Sequence, residues 1–244
     1  RISLYLMDNA SALLAFAVLA GALLGLLCSI IALQIGKSLL PNGESLIADP
    51  PDEFSPNRFS SMRQHMGAVL IGALGLAALT LVFDQSVQLA LAATFSFAVL
   101  TLALIDIRIY MLPDLITLPL LWLGLLVNTL GFFAAIADAV LGAVAGYLSL
   151  WGIYWLFKLL RDKEGLGYGD FKLTAAIGAW LGWQALPSVV LVAALTALCT
   201  AIVLVLAGRM KVEQPMPFGP FLAFAGFLTI CLGQRFTQWM SGLA

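Results

Sequence analysis

The run PSVVLVAALTALCTAIVLVLA, residues 187–207, decides the class of fold. It contains no charged residue, and about 20 consecutive apolar residues make a helix long enough to cross the hydrocarbon core of a bilayer. The whole chain has the same character, because 62% of its residues are hydrophobic and only 10% are charged. Its mean hydropathy is +1.02. These values exclude an ordinary soluble domain and predict a chain surrounded by lipid.

Further apolar runs extend this prediction to an all-α polytopic membrane protein of about eight transmembrane helices. The sixth and seventh runs meet within WQALP, residues 183–187. This segment can be a turn between two helices or a kink in one long helix, which leaves a count of seven open. The predicted spans are 12–36, 67–83, 87–105, 115–134, 137–158, 172–186, 187–207 and 218–234.

Residues 37–66 form the only sizeable polar segment, and they are too few for a core of their own. We therefore predict two parts. Residues 1–66 hold the first transmembrane helix and a short cytoplasmic loop without cysteine, and residues 67–244 hold a seven-helix membrane core. The first apolar run exceeds the 7–15 residues of a signal-peptide core, so we expect a retained helix.

The cationic residues predict the orientation of the spans. With eight spans, ten of the twelve Lys and Arg residues fall in loops on one side of the membrane. The positive-inside rule places that side in the cytoplasm and both termini outside. These ten residues are Lys37, Arg58, Arg63, Arg108, Lys158, Arg161, Lys163, Lys172, Arg209 and Lys211.

Asp106 and Asp170 are the candidate catalytic residues. Each lies in or beside a strongly apolar segment, where a carboxylate is costly and its presence indicates a function. The predicted topology places both at the cytoplasmic edge, where two close carboxylates can share a proton and act as general acid and general base. The structural alternatives are an ion pair of Asp106 with Arg108 or Lys172, and an N-cap role for Asp170.

The motif GLGYGD, residues 165–170, precedes an apolar helix. Gly167 and Gly169 allow positive φ or a close approach to another helix, so they are predicted to shape the site around Asp170. Lys172, Pro113 and Asp114 are also predicted to bind the substrate or to shape the site. In the structural alternative, Lys172 extends toward the membrane interface.

The segment MLPD, residues 111–114, starts the following helix. We expect Pro113 to restart the chain there, and Asp114 to cap the helix.

Other catalytic chemistries find little support in the sequence. His65, the single histidine, is predicted to lie solvated in a polar loop, and the cysteines are predicted to be small buried hydrophobic residues. No zinc motif is present, so no metal site is predicted. The few charged residues lie between apolar runs and form no basic face, so no nucleic-acid partner is predicted.

Taken together, the motifs resemble those of the type IV prepilin peptidases, the bacterial GxGD-type membrane aspartyl proteases. The similarity runs from about residue 102 to residue 226. The motifs that carry it are LID at 104–106, LPD at 112–114, LPLLWLG at 118–124, residues 142–150, KEGLGYGDFKL at 163–173, GAW at 178–180 and PFGP at 217–220.

The resemblance implies that Asp106 and Asp170 are the catalytic aspartates of an enzyme in the bacterial inner membrane. Its partners would be type IV prepilin or pseudopilin precursors, cleaved at the cytoplasmic face after a glycine that precedes their apolar helix. The peptidase reaction needs no cofactor. Many family members also methylate the product with S-adenosylmethionine and carry two CxxC pairs in the first loop. Residues 37–66 lack cysteine, so S-adenosylmethionine is expected as a cofactor only if methyl transfer is retained.

Three alternatives remain open. A proton-coupled transporter can also use paired carboxylates. An inactive scaffold of a pilus or secretion assembly would not need them for catalysis. Within the proteases, the nearest rival is a presenilin-like enzyme, whose first catalytic aspartate normally follows a tyrosine. Here Ile105 occupies that position.

Overall fold

The structure is a computed structural model that describes residues 2–39, 62–83, 87–161, 167–211 and 214–241. Within these ranges the chain forms eight α-helices, which confirms the predicted all-α fold. The helices are α1 Ile2–Leu39, α2 Met62–Val82, α3 Val87–Ile109, α4 Asp114–Thr129, α5 Ile136–Arg161, α6 Tyr168–Leu181, α7 Leu186–Leu206 and α8 Gly219–Ser241.

Within the described ranges, five helical segments are long and apolar enough to cross a membrane, and they lie in α1, α2, α3, α5 and α7. Two shorter apolar segments, Asp114–Thr129 and Gly219–Gly233, accompany them. The chain is therefore a multi-pass membrane protein. Many large apolar side chains are exposed on the long helices, as expected for surfaces in contact with lipid tails.

The segment between the sixth and seventh predicted spans is a break between two helices. Gly182 has φ +81°, which ends α6 in a conformation that favours glycine. A short 3-10 helix, Trp183–Ala185, follows, and Pro187 lies in the first turn of α7. A proline is tolerated there because the first-turn amides have no helical acceptor. The chain therefore has two helices here.

The chain divides into two compact units, residues 1–109 and 110–244. The first unit contains α1, α2 and α3. Its first two helices approach closely through small residues, since a Cβ on Gly25 would lie 2.9 Å from the carbonyl carbon of Ala68. Small residues at such contacts let the helix backbones meet. The predicted division at residue 66 separates the first helix and its loop from the seven-helix membrane core, and it remains a prediction.

The second unit contains α4 to α8, and α6 is its buried centre. From Asp170 to Trp180 every residue of α6 is buried except the half-buried Lys172. Its 14 residues give a length of about 21 Å, shorter than a bilayer core of about 30 Å. The helix contacts α4, α5 and α8, so neighbouring helices rather than lipid surround it.

Candidate active site

Asp106 lies in the last turn of α3, within the first unit. The side chain is only 5% exposed. The predicted span ended at residue 105, whereas the helix continues to Ile109 and ends before Tyr110, which has φ +54°. Asp106 is therefore a buried carboxylate in the terminal turn of an apolar helix, and the functional role predicted for it rests on this costly position.

Asp170 lies in the first turn of α6, within the second unit, and is 6% exposed. The N-cap of α6 is Gly167, so the alternative that Asp170 itself is the N-cap is wrong. Asp170 is instead the third helical residue, and its Oδ2 accepts a hydrogen bond from the Gly167 backbone N–H at 3.2 Å. This bond and the positive end of the helix dipole both stabilise a negative charge at Asp170.

The two described glycines of the GLGYGD motif differ in their surroundings, while Gly165 lies outside the described residues. Gly167 has φ −81°, and Gly169 is an ordinary helical residue, so the predicted positive φ is wrong for both. The predicted close approach is found at Gly169, because a Cβ there would lie 2.7 Å from the Cβ of Leu112. A Cβ on Gly167 would make an ordinary contact of 3.5 Å with Asp170.

At the start of α4, Pro113 rather than Asp114 occupies the capping position. Pro113 is the N-cap of α4, and its carbonyl accepts the amides of Ile116 and Thr117. Asp114 is the first helical residue, and its carboxylate accepts hydrogen bonds from Lys172 Nζ at 2.6 and 2.8 Å. The predicted capping role of Asp114 is therefore wrong. Lys172 forms this ion pair, which joins the starts of α4 and α6.

Aromatic rings hold the start of α6 against α5. The ring of Tyr154 is fully buried and lies 5.4 Å from Tyr168 and 5.7 Å from Phe171. Lys158 Nζ donates a hydrogen bond to the Tyr154 hydroxyl at 3.2 Å. Because Tyr168 and Phe171 flank Asp170 in sequence, these contacts fix the turn that carries the carboxylate.

Asn128 fixes the other end of α6. Its Nδ2 donates to the carbonyls of Ala179 and Trp180 at 2.8 and 2.9 Å, and its Oδ1 accepts the amides of Phe133 and Ala134. These carbonyls and amides lie at helix ends and in a loop, where helical partners are missing. Asn128 was not predicted as a structural residue, although a polar amide in an apolar run is itself a signal of an interior contact.

The single histidine is not a solvated loop residue, so that prediction is wrong. Helix α2 begins at Met62, five residues earlier than predicted, which places His65 in its first turn. The ring is half-buried, and its Nδ1 lies 3.0 Å from the Ser29 hydroxyl. Ser29 was also overlooked, because a serine inside an apolar helix commonly bonds to its own backbone and gives no warning of a partner.

The three cysteines are all free. Cys28 is buried as predicted, Cys231 is half-buried, and Cys199 is exposed on α7, contrary to the prediction. They lie on α1, α8 and α7 respectively. Across the described ranges, no three His, Cys, Asp or Glu side chains form a group suited to a metal ion.

The fold and the site define a polytopic α-helical membrane protein with two buried carboxylates in the terminal turns of helices. Residues 92–202 match the type IV leader peptidase family, and this range contains Asp106, Asp114, Asp170 and Lys172. Through residues 92–202 the chain is similar to this family.

Curated relatives named prepilin leader peptidase/N-methyltransferase agree with this match. The protein from Burkholderia pseudomallei is 52% identical over 171 residues, covering 70% of this chain and 55% of the relative. That from Aeromonas hydrophila is 49% identical over 180 residues, covering 73% and 61%. That from Dickeya chrysanthemi is 56% identical over 131 residues, covering 54% and 46%. The chain thus spans about half to three fifths of these relatives' lengths. No solved structure matches it significantly.

Proposed function

We propose that this protein is a membrane aspartic endopeptidase that removes the leader peptide from type IV prepilin or pseudopilin precursors. The observation that carries the proposal is the burial of Asp106 and Asp170, each in the terminal turn of a helix within the family region. The names of the relatives support this choice of substrate. Cleavage would follow a glycine that precedes the apolar helix of the precursor.

The proposed mechanism assigns different roles to the two carboxylates. The Gly167 N–H and the start of α6 favour the anionic form of Asp170, so we assign Asp170 as the general base. It takes a proton from water while the water oxygen attacks the scissile carbonyl carbon. Asp106 is then the general acid, and it gives its proton to the amine nitrogen as the C–N bond breaks.

The Asp114–Lys172 ion pair supports the site without taking part in the chemistry. Their side chains are 54% and 31% exposed, respectively. An ion pair with this much exposure contributes only about 0–1 kcal/mol. Its proposed role is to hold the start of α6, and therefore Asp170, beside the start of α4.

We propose the bacterial inner membrane as the location, with the active site at the cytoplasmic face. The distribution of Lys and Arg over the predicted loops supports this orientation. Residues 37–66, 106–114, 159–171 and 208–217 would then lie on the cytoplasmic side. Leaving the basic leader of a precursor in the cytoplasm agrees with this orientation.

The test is cleavage of a purified type IV prepilin by the purified protein in detergent. Wild type should release the leader, whereas Asp106→Asn or Asp170→Asn should lower the rate roughly 10³-fold or more, because each loses an ionisable partner. Asp114→Asn, which removes only an exposed ion pair, serves as the matched control and should cost less than tenfold. Proton flux in liposomes without cleavage would instead identify a transporter, and the lack of both would identify a scaffold.

The peptidase reaction would use no cofactor, and the protein would bind S-adenosylmethionine only if methyl transfer is retained. The first loop lacks the thiolates of a zinc site, although residues 40–61 lie outside the described ranges. Strong chelators should therefore leave cleavage unchanged, and methylation of the trimmed product should be weak. One zinc per chain by elemental analysis, or efficient methylation by this protein alone, would contradict this part of the proposal.

A further inference from the structure

A buried cation lies two residues beyond Asp106. Arg108 is 8% exposed, and its Nη1 and Nη2 donate to the backbone carbonyl and the hydroxyl of Ser29, each at 3.4 Å. The Ser29 hydroxyl lies 3.0 Å from Nδ1 of His65, and Ser29 is fully buried. These three residues, the Arg108–Ser29–His65 cluster, belong to α3, α1 and α2 respectively. No step of the proposed mechanism uses them.

The cluster joins the three helices of the first unit by polar contacts. A guanidinium buried among apolar helices is costly unless hydrogen-bond acceptors surround it. The Ser29 hydroxyl can accept from Arg108 and donate to an unprotonated Nδ1 of His65, so one group serves both neighbours. Loss of the hydroxyl would leave a buried cation with one acceptor fewer, and the last turn of α3 would lose a point of attachment.

The position of Arg108 bears directly on Asp106. In an α-helix, residues two apart project about 200° from each other around the axis. Fixing Arg108 toward α1 therefore also fixes the direction in which Asp106 leaves α3. Both residues lie in the same terminal turn, where a helix otherwise frays most easily.

We propose that the Arg108–Ser29–His65 cluster is a positioning device that holds Asp106 in its working orientation. This inference rests on the proposed function of Asp106 as the general acid. The three residues act through the helix and do not touch the substrate.

The experiment compares Ser29→Ala with Ser96→Ala in the purified full chain. Ser96 is a matched control, since it is also a buried serine of the first unit and its hydroxyl donates to the Ala92 carbonyl in its own helix. Ser29→Ala should speed amide hydrogen exchange at residues 106–109. It should also lower kcat roughly tenfold with KM nearly unchanged, the effect of losing one hydrogen bond to a charged group. Ser96→Ala should change neither quantity.

Two variants of His65 separate the hydrogen bond from simple packing. His65→Ala should behave like Ser29→Ala, whereas His65→Asn places an amide oxygen near the position of Nδ1 and should restore kcat to within about threefold of wild type. Equal losses in both variants would overturn the proposed role of this hydrogen bond.

The exchange measurement also keeps the inference distinct from the proposed function. Wild-type exchange at residues 106–109 in Ser29→Ala would overturn the inference, as would faster exchange with wild-type kcat. If the wild-type protein cleaves no precursor, the proposed function fails. Faster exchange in Ser29→Ala would then still support the attachment of α3, and unchanged exchange would overturn it.

Discussion

Replacing Gly142 by alanine should disrupt the contact that supports α6, and the structure gives the size of the effect. Gly142 of α5 and Gly178 of α6 touch backbone to backbone. A Cβ at position 142 would lie 2.8 Å from the carbonyl carbon of Gly178 and closer still to its oxygen. Carbon atoms in favourable contact are about 3.5–4.0 Å apart. The two helices would therefore have to separate by roughly 1 Å, a movement that no side-chain rotation can replace.

Gly152 provides the control on the same helix, because a Cβ there would meet nothing within 4 Å. Both substitutions gain about 1 kcal/mol from the higher helix propensity of alanine. Only Gly142→Ala adds overpacking, which typically costs about 1–3 kcal/mol. Gly142→Ala should therefore have a lower Tm than Gly152→Ala, by about 2–4 °C for each kcal/mol of overpacking cost in a chain of this size.

The same pair of variants predicts an effect on catalysis. Since α6 carries Asp170, a 1 Å displacement should lower kcat/KM of Gly142→Ala by up to about 10²-fold, while Gly152→Ala should match wild type. Thermal unfolding in detergent and prepilin cleavage measure the two effects. Equal Tm and equal turnover for the two variants would refute the argument that α6 is held by this contact.

Three further predictions concern single positions. Gly169→Ala should impair cleavage more than Gly167→Ala, because only the former adds a Cβ against Leu112, at 2.7 Å; equal turnover in kinetic assays would contradict this. Asn128→Ala should lower the free energy of unfolding by roughly 2–4 kcal/mol, because four backbone groups, two of them in buried hydrogen bonds and two in part-buried ones, lose a partner; a change below 1 kcal/mol in denaturant titration would argue against that role. A cysteine placed at Ser55, outside the described residues, should resist an impermeant reagent in intact cells; rapid labelling would reverse the proposed orientation.

The sequence was sufficient to predict the helices because a membrane-spanning helix must be apolar over most of its length. The predicted span 87–105 corresponds to Val87–Ile109, and the break after α6 was one of two readings of residues 183–187. The ends of helices were less predictable. Helix α2 begins at Met62 because polar residues can extend a helix beyond the apolar run, and this moved His65 from a loop into a helix.

The partners of polar side chains could not be read from the sequence. The ion pair of Lys172 with Asp114 joins residues 58 positions apart, and the bonds of Asn128 to Ala179 and Trp180 span 51 and 52 positions. Such pairs depend on how helices pack, whereas periodicity reports only which residues are apolar. The two candidate aspartates could be selected from the sequence for a different reason, since a carboxylate in an apolar segment is conspicuous in itself, and their catalytic role stays a prediction.

The most direct test of the central claim is a double-mutant cycle on Asp106 and Asp170, with prepilin cleavage as the measurement. If the two carboxylates work as one acid–base pair, either Asn variant alone should remove nearly all catalysis. The double variant should then be no slower than the worse single variant, because residues that act as a unit are strongly non-additive. Losses that multiply in the double variant, or near-normal cleavage by either single variant, would contradict the account.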